Sequence, residues 1–558
     1  MPYRKNPYNV TVPHSSGFDK SHRYTGTGCC GSLIPVLCDE VIPGTKVRLR
    51  VPMSVQLPPL ASETYMNASI KYEAFFVPMR LCSASFESFF NDFPERVQVT
   101  NVASGWSDLK GVLPAFRIPL STPLGSGDII SPGTLMDYLG FVSRPLDAAQ
   151  MVDLNPLPLV AYHLIWQEWY RNPRVQNPAF SKTLTVSHGN VNSHKASIIP
   201  STFYHDGDGS SVVSNYLWDA TSSFELADGK SIFDLRQRNF GLDYFTGART
   251  SAQQGAAAGV SISVDSLGNG TMTIAALRAA NSLQQFRERN NLASPRFVDQ
   301  IQDRYGVRPS DGVAQRPICI GSSTIDISTR GVDQTASGIV GSAESIGTNN
   351  PFQAVAAQYG RGQAASNDFL IDNFEALEPG YIMVMQSLVP EVTYTVGVES
   401  MFQRYVGPDS IVQMANPLLQ NVGDQPIYAR EITGYQSAYA GNVFGYTDRF
   451  AEFMFRKNTV HGRMRNDVNG SLRSFVLQRD FSTATAVTLS SKFLEIPPDY
   501  LDQIFAVNSE VSGLSYWFDI YFDYKVTMPL AEFSIPSLQD PAYEHGKQIS
   551  IRRNGQIF

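Results

Sequence analysis

A regular alternation of apolar and polar side chains covers residues 516–528 of this 558-residue chain. Successive side chains of a β-strand point to opposite faces, so residues two apart in the sequence share one face. The positions that share a face here are apolar: Tyr516, Phe518, Ile520, Phe522, Tyr524, Val526 and Met528. The pattern predicts a single strand long enough to span a whole sheet, with one face buried and the other in solvent.

Shorter strands are predicted towards both ends of the chain. Residues 46–51 alternate basic residues with valine and leucine, and residues 70–76 repeat the alternation up to Pro78, which has no N–H to donate to a sheet. Further extended segments are predicted at 381–388, 391–398 and 451–456. Because these strands flank a long central region of different character, we expect a two-sheet β scaffold that carries long inserts.

The central region predicts helices separated by loops. An apolar stripe between residues 161 and 169 has helical spacing and stops at Asn172-Pro173, since the residue before proline avoids helical geometry. A second helix with a broad apolar face is predicted after Thr273, and a third between Pro295 and Gly306. Loops are predicted where serine, glycine, asparagine and alanine are frequent, at 183–230, 247–272 and 328–369.

Charge and cysteine content exclude several classes of protein. The net charge is −7, so the chain as a whole does not attract phosphates, which is the term that dominates non-specific nucleic-acid binding. Its five cysteines are few and scattered, which indicates a reducing compartment rather than a disulfide framework. No apolar run approaches the roughly 18 residues of a membrane-spanning helix, and no signal peptide is recognisable. We therefore expect a protein made and kept in a cytoplasm, without membrane insertion.

The sequence contains no strong motif for catalysis, a cofactor or a metal. The glycines between Gly26 and Gly31 have dinucleotide-loop spacing, but no strand precedes them and Pro35 follows where a helix should run. A segment at His205 begins like a calcium loop but lacks its glycine and its final glutamate. No histidine pair stands at i, i+4, and no cysteine pair has C-x-x-C spacing. We therefore predict no catalytic, cofactor-binding or metal-binding residue.

Residues 1–30 are predicted to form an extended basic N-terminal arm. Its cations are interleaved with tyrosine rings, and single-stranded nucleic acid binds such surfaces through charge and stacking. The candidate nucleic-acid contacts are Arg4, Lys5, Lys20, His22 and Arg23. Charge-rich termini are also common as ordinary solvated segments, so both interpretations stand.

The segment 162–172 concentrates large side chains with no reactive group beside them. Aromatic residues and arginine are the types that most often anchor interfaces. The candidate anchors are Trp166, Trp169, Tyr170 and Arg171, which would hold an insert helix on the scaffold or on a neighbouring subunit. The same side chains would equally suit an ordinary hydrophobic core.

Several motifs in a fixed order give the sequence a resemblance to a known family. They are GSLIPVLCDEVIPG at 31–44, FFVP at 75–78, IWQEWYR at 165–171, DYFT at 243–246, FGY at 444–446 and GRMR at 462–465. The chain resembles the major capsid proteins of the Microviridae, the small single-stranded-DNA bacteriophages, near the gokushovirus group. The resemblance adds Tyr244 and Phe245, from the DYFT motif, to the candidate subunit-contact or insert-anchoring residues.

The resemblance implies a mainly β fold, an eight-stranded antiparallel jelly roll with long inserted loops that contain short helices. It implies one capsid domain over 31–558, with insertions at approximately 80–375 and 400–510. Copies would close into a T=1 icosahedral shell around the circular single-stranded DNA genome of a bacteriophage, forming a virion assembled in the host bacterial cytoplasm. The implied partners are copies of the chain, the genome, a small basic DNA-packaging protein, a DNA pilot protein and a host surface receptor. No catalysis is implied.

A second class of function stays open on the residues alone, namely a β-rich carbohydrate-binding protein or depolymerase of a phage. A depolymerase needs two close carboxylates with shifted pKa values in a cleft, and spacing along the chain does not exclude such a pair. A binding module would show an exposed aromatic platform on a monomer. A closed particle seen by electron microscopy would separate a shell protein from both.

Overall fold

The computed structural model describes residues 15–82, 132–141, 151–180, 226–253, 274–334, 358–403, 423–481, 486–506 and 515–530, apart from interruptions of one to three residues, and strands at 95–98, 106–109, 115–119 and 216–218. Within these residues the strands are β1 (Ser16–Asp19), β2 (His22–Gly28), β3 (Ile34–Val41), β4 (Lys46–Arg50), β5 (Met53–Gln56), β6 (Ala68–Pro78), β7 (Glu95–Gln98), β8 (Trp106–Leu109), β9 (Ala115–Pro119), β10 (Met151–Leu154), β11 (Tyr216–Trp218), β12 (Ile318–Asp326), β13 (Ser328–Gln334), β14 (Gln358–Ser366), β15 (Phe369–Glu375), β16 (Gly380–Pro390), β17 (Gln425–Tyr428), β18 (Val443–Thr447) and β19 (Tyr516–Met528).

The helices are short, with one exception of 19 residues. They are Met79–Cys82, Leu135–Tyr138, Leu157–Ile165, Ile274–Leu292, Phe297–Tyr305, Arg430–Thr433, Ala451–Met454 and Ser491–Leu494, with a π-helical turn at Trp166–Tyr170. Turns of 3-10 helix lie at Ser400–Gln403, Gly462–Met464, Arg473–Phe475 and Tyr500–Ile504.

The long predicted strand, β19, is the spine of the first sheet. β1 and β2 run antiparallel along one of its edges in a single register, from Ser16 opposite Met528 to Gly28 opposite Tyr516. β4 and β5 pair in the same way along the other edge. β15 extends the sheet beyond β4, and β14 and β13 extend it beyond β5. β19 is paired along both edges and buried on one face only. A shift of its pairing by one residue would move its apolar side chains to the solvent face, so the alternation of its side chains fixes the register.

The second sheet is antiparallel and four-stranded, in the order β12, β6, β16, β3. Its central strand β16 is buried along almost its whole length, whereas β19 alternates between buried and less buried positions. The difference arises because β16 is covered on both faces, by the first sheet on one side and by the helix Leu157–Ile165 on the other. A strand covered on both faces carries a continuous apolar run instead of an alternation.

Two apolar cores follow from this layering. The main core lies between the inner faces of the two sheets and includes Val47, Leu49, Ile70, Tyr72, Ile382, Val384, Phe518, Ile520 and Phe522. The other lies on the outer face of the second sheet and includes Leu33, Phe75, Val77, Ala161, Ile165, Phe233, Met383 and Met385. Each large side chain that is fully buried contributes about 1.5–3 kcal/mol to folding. The second core therefore contributes to holding the insert helix on the second sheet.

The predicted fold class is confirmed: the protein is mainly β, with antiparallel sheets that curl into a half-barrel of the jelly-roll type. The curl is visible where β12 of the second sheet lies against β15 of the first. The first sheet contains eight strands and the second contains four, and the total of eight barrel strands stays a prediction.

Two strand predictions are wrong, and two of the predicted loops contain strands. The predicted loop at 183–230 contains the short strand β11. Residues 391–398 form an irregular segment in which Tyr394 makes isolated bridges. Residues 451–456 begin as a helix, because Phe450 takes a left-handed conformation with φ 65° and redirects the chain. The predicted loop at 328–369 contains β13 and β14, whose side chains are patterned weakly but whose backbones pair with each other and with β5.

All three predicted helices form. The first ends before Asn172-Pro173, and the third ends at Gly306, which has the left-handed φ of 69° that glycine adopts without strain. The apolar faces of the second and third helices are exposed, with Leu277 and Phe286 about half exposed and Phe297 more so. Among the described residues of these two helices, most apolar side chains are therefore in contact with solvent, although the third helix buries Val298.

Candidate functional site

The predicted aromatic anchors lie where the helix Leu157–Ile165 widens into a π-helical turn, Trp166–Tyr170. The amide of Arg171 donates to the carbonyl of Trp166 at 2.9 Å, a five-residue spacing that is typical of such turns. Asn172-Pro173 follows at once and prevents the helix from continuing. The sequence thus places three large rings within one wide turn at the end of the insert helix.

Trp166 belongs to a buried polar cluster. The guanidinium of Arg236 lies 4.4 Å from the centroid of its ring. Nε of Arg236 donates to Nδ1 of His163 at 3.0 Å, and its terminal nitrogens pair with Asp228. Because Nδ1 accepts, Nε2 of His163 carries the proton and donates to the carbonyl of Ile232 at 2.7 Å. Burial, and then the charge of Arg236, hold the pKa of His163 well below its usual value.

Trp169 and Tyr170 contact the second sheet. Nε1 of Trp169 donates to the backbone carbonyl that precedes β12, at 2.9 Å, and its ring lies 5.5 Å from that of Phe75 in β6. The hydroxyl of Tyr170 donates to Oε2 of Glu73 at 2.5 Å, and Arg238 donates to the same oxygen at 2.6 Å. The end of the insert helix is therefore joined to β6 by a ring contact and by hydrogen bonds to one carboxylate.

Arg171 holds the chain that follows the helix. Its Nη1 donates to the carbonyl of Gln176 at 2.9 Å, and its own carbonyl accepts from Nη2 of Arg296 at 2.7 Å. Each of the four anchor candidates thus contacts other parts of the same chain. Their role in contacts between subunits stays a prediction.

The DYFT motif forms a tight turn closed by Asp243. Its Oδ1 accepts from the amides of Phe245 at 2.9 Å and Thr246 at 2.7 Å, and its Oδ2 accepts from the hydroxyl of Tyr394 at 2.7 Å. An aspartate that bonds amides two and three residues later stabilises a turn through its side chain. The turn buries Phe245 edge-on against Tyr394, with ring centroids 4.9 Å apart.

Tyr244 extends from the same turn to a buried carboxylate, Glu431. Its hydroxyl donates to Oε2 at 3.3 Å, and the hydroxyl of Ser400 donates to the same oxygen at 3.1 Å. Oε1 accepts from the amide of Tyr428 at 3.2 Å, and Nζ of Lys457 donates to the Glu431 carbonyl at 3.1 Å. Burial raises the pKa of the Glu431 carboxyl, and these hydrogen bonds act in the opposite direction. Glu431 is thus the centre of a polar network that joins four chain segments.

Three of the candidate nucleic-acid residues lie on the edge of the first sheet. Lys20 stands between β1 and β2, and His22 and Arg23 belong to β2. The ring of His22 packs on a phenylalanine ring of β19, with centroids 5.1 Å apart. Arg4 and Lys5 lie outside the described residues.

Carboxylates of the same chain pair with two of these cations. Nζ of Lys20 lies 2.6 Å from Oδ2 of Asp39. Nε of Arg23 donates to Asp519 of β19 at 2.7 Å, and the Arg23 side chain is largely exposed. The edge therefore presents cations that are already paired, and nucleic-acid contact there stays a prediction.

The cysteines have the properties of packing residues. All five are free thiols, and burial raises the pKa of each, that of Cys38 to about 12. A raised pKa leaves little thiolate to act as a nucleophile at neutral pH. Among the residues that the structure describes, no group of three or more histidine, cysteine, aspartate or glutamate side chains is placed to hold a metal ion. No helix in those ranges is both long and apolar enough to cross a membrane.

Sequence analysis missed the charged residues at the centres of these clusters. They are Glu73, Asp228, Arg236, Arg238, Glu431 and Arg479. Arg479 illustrates the reason, because its guanidinium lies 4.6 Å from the ring of Phe240 and 5.9 Å from that of Tyr394, and both residues are far from it in the sequence. Partners so distant in sequence leave no local pattern. Only the aromatic content of 11% hinted that cation–ring contacts would be frequent.

Double-sheet antiparallel scaffolds of the jelly-roll type are found in viral capsid proteins and in lectin domains. The family model described as "Capsid protein (F protein)" matches residues 10–538. The chain belongs to this family of capsid proteins. As a capsid protein it is a component of the virion and has a structural, non-enzymatic role, so the depolymerase alternative is not supported.

Relatives in three phages agree with the family assignment. Capsid protein VP1 of Chlamydia phage 1 is 25% identical, over 95% of this chain and 96% of the relative. Capsid protein VP1 of Bdellovibrio phage phiMH2K is 23% identical, over 94% and 95%. That of Spiroplasma virus 4 is 25% identical, over 91% and 92%. These matches confirm the resemblance to microvirus major capsid proteins that the ordered motifs indicated.

Proposed function

We propose that this chain is the shell-forming subunit of a T=1 icosahedral particle that encloses the circular single-stranded DNA genome of a bacteriophage. The observation that carries the proposal is the match of the capsid family to residues 10–538. The fold supports it, because two packed antiparallel sheets form a rigid block from which long inserts reach neighbouring subunits. Assembly in the host bacterial cytoplasm is part of the proposal and agrees with the free thiols.

The genome is expected to need a second protein to neutralise it. The chain carries a net charge of −7, so bulk attraction to phosphates is absent. Lys20 and Arg23 are paired with carboxylates of their own chain. A small basic DNA-packaging protein would supply the missing positive charge. A DNA pilot protein and a host surface receptor complete the partners that we propose.

The proposal is tested by producing the full-length chain alone in a bacterial cytoplasm and imaging the purified material by negative-stain electron microscopy. We expect closed spherical particles of one diameter. Monomers or open aggregates at every salt and protein concentration would overturn the shell function.

The partner proposal is tested on the same particles through their nucleic-acid content. The ratio of absorbance at the nucleic-acid and protein maxima is measured with and without coexpression of a small basic phage protein. We expect little nucleic acid in particles of the chain alone and a higher content with the basic protein. Equal and high content in both samples would show that the shell neutralises DNA unaided.

A further inference from the structure

Large apolar side chains are exposed above the Glu431 network. Between 45% and 69% of the surface of each is open to solvent, and they are Met401, Phe402, Tyr435, Tyr439, Val443, Phe453, Met454 and Phe455. We call this set the 401–455 surface. Soluble monomers show scattered exposed apolar residues, but a concentration of this kind marks an interaction site.

The segments that form the 401–455 surface are tied to one another through the turn Arg430–Thr433. The amide of Val398 donates to the Arg430 carbonyl at 3.0 Å, and the Arg430 amide donates to the carbonyl of Ala440 at 3.1 Å. Lys457 binds the Glu431 carbonyl and pairs with Glu399, with its Nζ 3.5 Å from a carboxylate oxygen. The exposed rings therefore stand on an ordered base, so a partner that binds them orders little additional chain.

The area of the 401–455 surface matches half of a stable protein interface. A large apolar side chain presents roughly 150–250 Å² when free, and eight that are about half exposed present on the order of 800 Å². One partner contributes about 800 Å² to an interface of standard size, whereas the largest apolar patch of an ordinary monomer covers roughly 300–600 Å².

The chemistry of the surface fits a protein partner better than nucleic acid. Nucleic acid requires several available cations beside the rings; here Arg456 is exposed, whereas Nε of Arg430 donates to Gln403 at 2.5 Å. The Lys457 side chain is only 9% exposed and bonds within its own chain. Interface cores are enriched in tyrosine, phenylalanine and methionine, and seven of the eight side chains of the 401–455 surface are of these three types.

We propose that the 401–455 surface is a contact surface for a neighbouring copy of this chain in the shell. The inference rests on the proposed function, because a subunit of a closed shell has further copies as its most abundant partners. It assigns the contact to this surface on the basis of its area, its ordered base and its composition.

The test compares two double variants of the full-length chain. Phe402→Asp with Phe453→Asp places charges within the surface. The matched control, Tyr65→Asp with Leu377→Asp, places the same charges on side chains that are 71% and 83% exposed elsewhere. Urea unfolding measures the subunit fold, electron microscopy measures particles, and sedimentation velocity measures self-association over a concentration series.

We expect both double variants to unfold at the native urea midpoint, since no buried group changes. The 401–455 variant should form no particles and should associate about 100-fold more weakly, because each central aromatic of an interface is worth about tenfold or more. The control should assemble as the native chain does. If the aspartate pair impairs folding, Phe402→Ser with Tyr435→Ser repeats the comparison with a smaller change.

Normal particles from the 401–455 variant would overturn the inference and leave the proposed function intact. If the native chain forms no particles, the proposed shell function is wrong. Self-association measured by sedimentation velocity then still tests whether the 401–455 surface is a contact. Weaker association of the variant than of the control would then support the contact. Equal association of the two, or none by the native chain, would overturn it.

Discussion

Replacing Asp228 by asparagine should destabilise the subunit strongly, although the two side chains have nearly the same shape. Asp228 supplies the countercharge of Arg236, whose side chain is wholly inaccessible to solvent. The substitution leaves the guanidinium buried beside neutral His163, in a place where the Asp228 side chain itself is only 8% exposed. A buried cation without its counterion is among the costliest defects in a folded protein.

The size of the effect follows from the geometry. Nη2 of Arg236 lies 3.4 Å from Oδ1 of Asp228, and a second nitrogen is closer to Oδ2. Two charges about 4 Å apart attract by about 4 kcal/mol at an effective dielectric constant of about 20. Asparagine keeps one hydrogen-bond acceptor, which retains about 1 kcal/mol. We therefore expect the free energy of unfolding to fall by about 3 kcal/mol, the lower end of the range for breaking a buried ion pair.

Urea unfolding of the unassembled subunit, followed by tryptophan fluorescence, measures this loss close to its source, because the Trp166 ring lies 4.4 Å from the Arg236 guanidinium. Asp519→Asn is the matched control, since it removes the carboxylate of the exposed arginine pair on β2 and β19. Its urea midpoint should stay close to the native one. A midpoint for Asp228→Asn no lower than that of the control would refute the argument that burial decides the value of the pair.

Three further predictions concern other parts of the scaffold. The pKa of His163 is lowered in the folded subunit, so as the pH falls the unfolded chain binds the proton first. The free energy of unfolding should therefore decrease below about pH 6.5, by up to about 1.4 kcal/mol per pH unit. His163→Gln should flatten this decrease, which urea midpoints measured between pH 7.5 and 5.5 would show. A Cβ at Gly321 would lie 1.8 Å from the carbonyl oxygen of Leu370, whereas one at Gly17 meets nothing within 4 Å. Gly321→Ala should therefore abolish most soluble subunit and Gly17→Ala should not, and equal yields would contradict the close approach of β12 to β15. Trp169→Ala should remove about 3 kcal/mol of packing energy and so lower the yields of soluble subunit and of particles together. A lower yield of particles alone would place the ring at a contact between subunits.

The strands that could be predicted from the sequence are those whose side-chain pattern reflects which of their faces are buried. β19 was predicted with the bounds it has, because one of its faces is in the core and the other is not. β16 was found because both of its faces are covered and its apolar run is unbroken. β13 and β14 were missed because they are strands by virtue of their backbone pairing with each other and with β5. Backbone pairing does not require a particular pattern of side chains.

The candidate site likewise has a part that the sequence predicts and a part that it does not. The aromatic anchors could be predicted, because tryptophan and tyrosine concentrated in one short segment are visible in the sequence itself. Their partners could not, because Tyr170 bonds Glu73 across 97 positions and Trp169 bonds the carbonyl of Pro317 across 148. Side chains that meet from such distances have no common sequence period. Buried charge is also too rare among ordinary residues to be expected from composition.

The sheets and the inserts of this protein should differ in how well they tolerate substitutions. The sheets are specified by alternation and apolar burial, which tolerate substitution as long as volume and pattern are kept. The inserts are held by the apolar core around the helix Leu157–Ile165 and by a few buried charges, and breaking a buried ion pair costs several kcal/mol. None of the eight side chains of the 401–455 surface belongs to either apolar core. Its exposed side chains can therefore change with little effect on subunit stability, provided that the network around Glu431 stays intact and continues to hold the segments in register.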